Sequence, residues 1–209
     1  NRKNNPKIEN RNGKEYLVSP ENITVKNIGE IVNSEFQDYS PTISLNNDEL
    51  YFTSKRSGTT GDLKHSDNKY FEDIWYSKQI DGVWQKPTNL GSPLNDDNHN
   101  SNLGLSPDGN RLFIYSSDNA GDILYSDKKD RKWSNVKSIR DINTEFKESS
   151  ISITSDGKMM FFTSSKTGGF GGTDIYFCAI NDKLECIDQP QNIGANLNTK
   201  YDEEGPYYD

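Results

Sequence analysis

Ile142-Asn143-Thr144-Glu145-Phe146-Lys147-Glu148-Ser149-Ser150-Ile151-Ser152-Ile153-Thr154-Ser155-Asp156-Gly157-Lys158-Met159-Met160-Phe161-Phe162-Thr163-Ser164 is the stretch whose reading decides the fold. Two short runs, Ile151-Ser152-Ile153 and Met160-Phe161-Phe162-Thr163-Ser164, flank the turn Ser155-Asp156-Gly157. Asp and Gly tolerate the positive φ that tight hairpins demand, so the segment reads as two antiparallel strands. A third strand begins at Asp174-Ile175-Tyr176-Phe177, and the turn at Asp182-Lys183 leads to a fourth.

Working outward, the same pattern recurs. The anchor Asn143 has counterparts in Asn33, Asn95 and Asn198, at spacings of 62, 48 and 55 residues. Five residues past each anchor stand Asp38, Asn100, Glu148 and Glu203, and eight past stand Pro41, Leu103, Ile151 and Pro206. Turns follow at Asn46-Asn47-Asp48 and Pro107-Asp108-Gly109, then strands Leu50–Ser54 and Leu112–Ser116, then Asp73–Tyr76 and Asp122–Tyr125. Further turns at Asp81-Gly82 and Asp130-Arg131 precede Trp84 and Trp133. Four strands per unit in up-and-down order describe a β-propeller blade, whereas an immunoglobulin-like sandwich has no reason to repeat one pattern. The fold class is therefore all-β: three complete four-stranded antiparallel blades plus the start of another.

The predicted boundaries are an N-terminal extension over 1–21 and a propeller region over 22–209. Its blades occupy about 34–95, 96–143 and 144–198, and 199–209 opens the next. Period-2 alternation predicts Ile43, Leu45, Leu50, Phe52, Leu103, Leu105, Leu112, Ile114, Ile151, Ile153, Met160 and Phe162 as core. Natural propellers need about four to eight blades to close a ring. The chain is therefore expected to belong to a longer propeller or to complete itself with another copy, with 22–28 serving as an outer strand over one end.

Bulk composition agrees. Only 31% of the 209 residues are hydrophobic but 11% are aromatic, which suits short strands between many turns rather than a disordered chain. A net charge of −8 with a pI near 4.9 repels a nucleic-acid backbone, so nucleic acid is excluded as a partner. No apolar run is long enough to span a membrane, and the start at Asn1 reads as a mature or excised fragment.

Ser106-Pro107-Asp108-Gly109 before an aromatic-rich strand resembles the TolB-type propeller repeat. More narrowly, Asn33–Pro41 with Phe52-Thr53-Ser54, Gly168–Tyr176, and Gly82–Pro87 running into Asn89-Leu90-Gly91 resemble the propellers of Bacteroidota outer-membrane proteins. In that family the propeller often adjoins tetratricopeptide repeats and an OmpA-like peptidoglycan-binding domain, and some members serve type IX secretion. The resemblance covers about residues 22–209. It implies a non-catalytic scaffold in a periplasmic or outer-membrane-associated assembly, binding protein partners of the cell envelope. Peptidoglycan would be bound only through a domain absent here.

Propeller topology sends the loops between second and third strands, and those between blades, to one face. The long segments 55–72, 91–102, 165–173 and 198–203 lie there, and function concentrates on such loops. Arg56, His65, Tyr70, Phe71 and Phe170 are the candidate partner-binding residues, although the glycines around Phe170 equally suit a tight path packed over the blade edge. Asp38, Asn100, Glu148 and Glu203 reach their strands from the same face. As oxygen ligands they would suit a hard cation such as calcium, the one cofactor considered; as structural groups they would accept hydrogen bonds from neighbouring loop amides.

No enzyme motif stands out. Asp108-Gly109 and Asp156-Gly157 are adjacent where a sialidase Asp box needs a spacer, no Gly-x-Ser-x-Gly elbow exists, and the two histidines, His65 and His99, lack metal-site spacing. The chain is therefore read as not an enzyme. The competing reading is a carbohydrate-active or peptidase-associated propeller that admits a glycan or peptide at the channel mouth. Cys178 and Cys186 are symmetric about Asp182, which places them opposite each other across the third outer hairpin. A disulfide and a reduced pair are both open; the disulfide would fit an oxidising envelope compartment.

Overall fold

The computed structural model describes residues 7–11, 14–18 and 24–208. A hairpin of β1 (Lys7–Arg11) and β2 (Lys14–Val18) precedes three antiparallel sheets. The first holds β3 (Asp38–Ile43), β4 (Glu49–Ser54), β5 (Asp73–Ile80), β6 (Val83–Trp84) and β7 (Thr88–Asn89). The second holds β8 (Asn100–Leu105), β9 (Arg111–Ser116), β10 (Asp122–Lys129), β11 (Lys132–Trp133) and β12 (Lys137–Ser138). The third holds β13 (Glu148–Ile153), β14 (Met159–Ser164), β15 (Asp174–Ala179) and β16 (Gln191–Asn192). These are propeller blades, and the fold is an all-β propeller architecture. In the first two blades the outermost strand is broken into two short pieces that both pair with the third strand. Of the expected outer strand at 22–28, residues 24–28 show no strand pairing, and 22–23 lie outside the described residues.

Local chemistry explains the repeated first hairpin. Asn47, Gly109 and Gly157 occupy one turn position and carry φ of 58°, 72° and 71°, values that Gly and Asn adopt most cheaply. A hydroxyl just upstream closes each turn: Ser44, Ser106 and Thr154 accept from the backbone N–H of Glu49, Arg111 and Met159. Each innermost strand then carries a register shift, between Tyr39 and Thr42, Asn102 and Gly104, and Glu148 and Ile151. Such bulges increase local twist, as radially stacked sheets require.

The core corrects the simple alternation expected from sequence. Leu50, Phe52, Leu112, Ile114, Ile151, Met160 and Phe162 are buried, but so are Tyr51 and Phe113 on the opposite face of the same strands. The reason is stacking: Tyr51 packs with Leu112 and Ile114 of the second blade, and Phe113 packs with Met160 and Phe162 of the third. A strand between two sheets is apolar on both faces. Leu103, Leu105 and Ile153 are only half-buried. Ile43 (48% exposed) and Leu45 (68%) are not core; they lie at the turn end of the first blade, where Leu45 meets the turn glycine Gly109 of the second.

One device ties the segment leaving each blade back to that blade, and two join the first blade to the second. The anchor asparagines act as side-chain rungs: Asn95 accepts from the Ile74 N–H and donates to the Ile74 carbonyl, both at 2.9 Å. Asn143 does the same with Ile123, and Asn198 with Ile175. Asn102 in β8 donates to the Ser40 carbonyl at 2.6 Å, while its N–H reaches the Thr53 hydroxyl at 2.9 Å. Lys128 crosses from the second blade to Glu49 (2.6 Å) and the Tyr51 hydroxyl (3.0 Å), over the faces of Tyr51 and Trp133. Burial opposes ionisation of Glu49, but Lys128 and Tyr51 outweigh it and hold its carboxyl below the ordinary range.

Cys178 and Cys186 form a disulfide with Cα atoms 5.7 Å apart. The turn differs from the expected one, because Ile180 bridges Cys186 and the centre falls at Lys183 rather than Asp182. Leu184 takes the left-handed conformation there (φ 64°), a residue poorly suited to it and unreadable as a turn signal. Closing this short loop constrains the unfolded chain. Reduction is expected to lower unfolding stability by about 2 kcal/mol, read as a shift of the urea midpoint with and without dithiothreitol. Alkylation without reductant should label neither thiol; two labelled cysteines would refute the bridge.

Candidate functional site

The long-loop face is assembled from the segments between second and third strands of each blade and from those that leave one blade for the next. The excursion 55–72 folds back on itself: Lys64 bridges Tyr70, the His65 N–H donates to the Lys69 carbonyl, and the Phe71 N–H donates to the Leu63 carbonyl. Asn68 makes the reversal with φ 64°. His65 is thereby fixed in a short hairpin rather than a slack loop. Glu72 is the last residue before β5, and His99 the last before β8. The Asn100 N–H donates to the Glu72 carbonyl at 2.9 Å, so the two blades meet with Glu72 beside His99. Ser117 pins His99 on both sides, its N–H to the His99 carbonyl and its hydroxyl accepting the His99 N–H.

The side chains converge. His99 Nδ1 lies 2.6 Å from Glu72 Oε2, and Lys55 Nζ lies 3.4 Å from the same oxygen. Phe71 stacks on the His99 ring at 4.0 Å, and His65 stacks on it at 4.7 Å. Burial would raise the Glu72 carboxyl, but the His99 contact, with Lys55, holds it below the ordinary value. Burial, reinforced by the Glu72 charge, pushes the Tyr39 hydroxyl up to about 12 against the pull of Ser101. His65, Glu72 and His99 are brought within 4.8 Å of one another, atom to atom, among the described residues. Of these residues, His65 and Phe71 carry a sequence signal as loop residues, whereas Glu72 has none, and the spacing of the two histidines matches no metal motif. The residues are 34 positions apart, and only the seam between two blades joins them.

The other expected residues are placed differently. Arg56 faces inward: it donates to Asp38 (2.7 Å), Ser54 and the Val32 carbonyl, and its guanidinium lies over Phe52 and Trp75 at 5.0 and 5.2 Å. It is a packing element of the first blade, not a free partner contact. Tyr70 is half-buried, edge-on to Phe36 and covered by the Lys64 ammonium. Phe170 is 51% exposed, with its N–H held by Asp174. Gly171 beside it lies so close to the Thr199 and Tyr201 carbonyls that no Cβ fits.

Asp38, Asn100, Glu148 and Glu203 do not converge on a common point. Each side chain accepts the N–H of the residue four positions earlier, Ser34, Asp96, Thr144 and Thr199 respectively. They brace the anchor loops of their own strands, and their oxygens are committed to that work. The calcium expectation for this set is thereby corrected. Asp38 is also the site of a measurable proton linkage. Burial raises its carboxyl, but Arg56, Ser54 and Ser34 together bring it below the ordinary value. Its stabilising contribution is therefore complete above about pH 4 and is lost as pH falls through the depressed folded value. The stability gap between wild type and Asp38→Asn, from urea midpoints, is expected to be constant near neutrality and to shrink in that acid range. A gap independent of pH would show that the Arg56–Asp38 charge pair contributes nothing.

A concavity of about 460 Å³ lies between the innermost strands, lined by Thr42, Asn102, Phe113, Ser152 and Tyr207 among others. None of its lining residues is Asp, Glu, His, Lys or Arg.

No family model matches the chain, and no curated protein sequence matches it. Solved structures do. A protein from Agrobacterium tumefaciens assigned as TolB superposes with a TM-score of 0.56 at 14% identity, over 93% of this chain and 64% of that one. This chain thus spans under two-thirds of that protein's length. A puromycin-hydrolysing peptidase from Mycobacterium tuberculosis gives 0.48 at 10% identity, over 88% and 26% of the two chains. An α-L-arabinofuranosidase from Lactobacillus brevis gives 0.47 at 13% identity, over 79% and 55%. The expectation that the chain is not an enzyme is corrected here: enzymes stand among the solved structures it matches, and a propeller fold by itself gives no ground to exclude catalysis. What the comparisons establish is the architecture: the chain has a TolB-like β-propeller fold.

Proposed function

We propose that the chain is a protein-recognition propeller of a cell-envelope assembly and that it engages its partner through the long-loop face. One observation carries this reading. Exposed aromatic side chains stand on that face upon well-braced loops: Phe170 (51%) and Tyr201 (67%), with Phe36 packed edge-on to Tyr70 at the other end. The hairpin turns at Asn46–Asp48, Pro107–Gly109 and Ser155–Gly157 carry no aromatic residue. Aromatic anchors on a rigid support dominate protein interfaces, because they bury large area at small entropic cost. The Cys178–Cys186 disulfide supports an oxidising compartment such as the periplasm. Among the described residues no helix is long and apolar enough to cross a membrane.

The test places a photo-crosslinking amino acid at Tyr70 or Phe170, and in control proteins at Asn47 or Asp156. In envelope preparations the first pair is expected to capture one common protein and the control pair none. Equal capture from both faces, or capture from neither, would sink the proposal.

A further inference from the structure

We propose that His65, Glu72 and His99 form a binding site for a divalent transition-metal cation of the zinc class. The inference stands apart from the partner-binding reading, since it rests on donor geometry alone. Two imidazoles and one carboxylate are the donor set that such cations take, and each residue offers an atom within 4.8 Å of the other two. Zinc bound at ~2.0–2.2 Å from nitrogen and oxygen requires donors roughly 3.3 Å apart around it. Reaching that spacing takes a swing of the exposed His65 ring off its stack on His99, because a nitrogen lone pair lies in the plane of its own ring. The 2.6 Å contact between His99 Nδ1 and Glu72 Oε2 opens slightly as the cation replaces the shared proton.

Several features prepare the site. The backbone on either side of His99 is pinned by Ser117, and Glu72 is tied to Asn100 across the blade seam. His65 is carried by a hydrogen-bonded hairpin, and among the described residues its ring makes no side-chain hydrogen bond that would occupy it. Phe71 lies flat on His99 and sets the ring plane while excluding water from that side. The chain contains only two histidines, and the fold brings both here from loops of different blades. Lys55 occupies one side of the Glu72 oxygen, but its long stem lets the ammonium turn to solvent when a cation arrives. Imidazole donors select zinc, nickel or copper, whereas calcium wants six to eight oxygens. Three protein ligands leave a fourth position for water or an incoming donor, the arrangement of an open rather than a closed site.

The experiment titrates the whole 209-residue chain with ZnCl2 by calorimetry after chelator treatment, with CaCl2 in parallel. One zinc per chain is expected, accompanied by a rise in Tm, and no calcium binding that competes with it. Loss of even an outer-sphere partner weakens metal sites 10–100-fold, so His65→Ala and His99→Ala should each weaken zinc binding by roughly 100-fold or more. Glu72→Gln, which keeps size and removes charge, should weaken it as well. His65 sits on a surface hairpin, so His65→Ala is expected to keep the metal-free Tm, which makes its zinc affinity interpretable even where His99→Ala misfolds. Cobalt substitution supplies a second readout: visible bands of tetrahedral geometry in wild type, absent in His65→Ala. The proposal is overturned by an absence of zinc binding, by unchanged affinity in His65→Ala, or by calcium binding as tightly as zinc.

Discussion

Asn95→Ala is expected to cost about 3 kcal/mol of unfolding free energy, while the same change at Asn33 costs less than about 1 kcal/mol. Both residues occupy the same position in the repeat, so local sequence predicts equal effects. The structure distinguishes them. Asn95 is 2% exposed and serves as a rung between the arriving loop and Ile74, itself fully buried. Truncation strands the Ile74 N–H and removes the Asn95 contact to Asn89 in a place water cannot reach. Asn33 is exposed and, among the described residues, its amide donates to Asn27 alone. Urea unfolding of the two variants with an unchanged m-value settles the matter. Equal losses would mean that the rung is not what holds the leaving segment to its blade.

Phe162→Ala is expected to lose about 4 kcal/mol, and Phe161→Ala about half of that. The two are neighbours in β14 with identical chemistry, and they point to opposite faces. Phe162 is 1% exposed, stacks on Tyr176 at 5.8 Å, and packs in the cluster that contains Phe113, Ile123 and Ile151. Its removal leaves a cavity walled by two sheets, neither of which can collapse into it. Phe161 is half-buried and lies parallel to Tyr208 at 5.7 Å. On that side it meets Phe177 of β15 at 6.1 Å and the terminal segment 204–208, which can follow a smaller side chain. Chemical denaturation of both variants tests the order. A larger loss at Phe161 would place the stacked face on the wrong side of the sheet.

What the sequence determined by itself was everything carried by short-range repetition. The anchors Asn33, Asn95, Asn143 and Asn198, the polar turns and the aromatic second strands define four-stranded units, because strand pairing within a blade is local and each hairpin is encoded by its own turn. Hence β3, β8 and β13 each begin within three residues of Pro41, Leu103 and Ile151, the positions eight past their anchors. Cys178 and Cys186 were legible as a pair for the same reason, and the slip in their turn arose because Leu184 is no conventional turn residue. What only the tertiary structure decided was everything formed between blades. Tyr51 and Phe113 are buried by a neighbouring sheet, Arg56 is spent on Asp38 and two aromatic faces, and Ile43 is left exposed. His65, Glu72 and His99 meet for the same reason. Each comes from a loop whose path is governed by its own blade, and their distance is governed by how the first two blades dock through Asn102 and Lys128. Spacing along the chain carries no record of that docking, since contacts across a blade seam depend on the stacking of whole sheets and not on any local period.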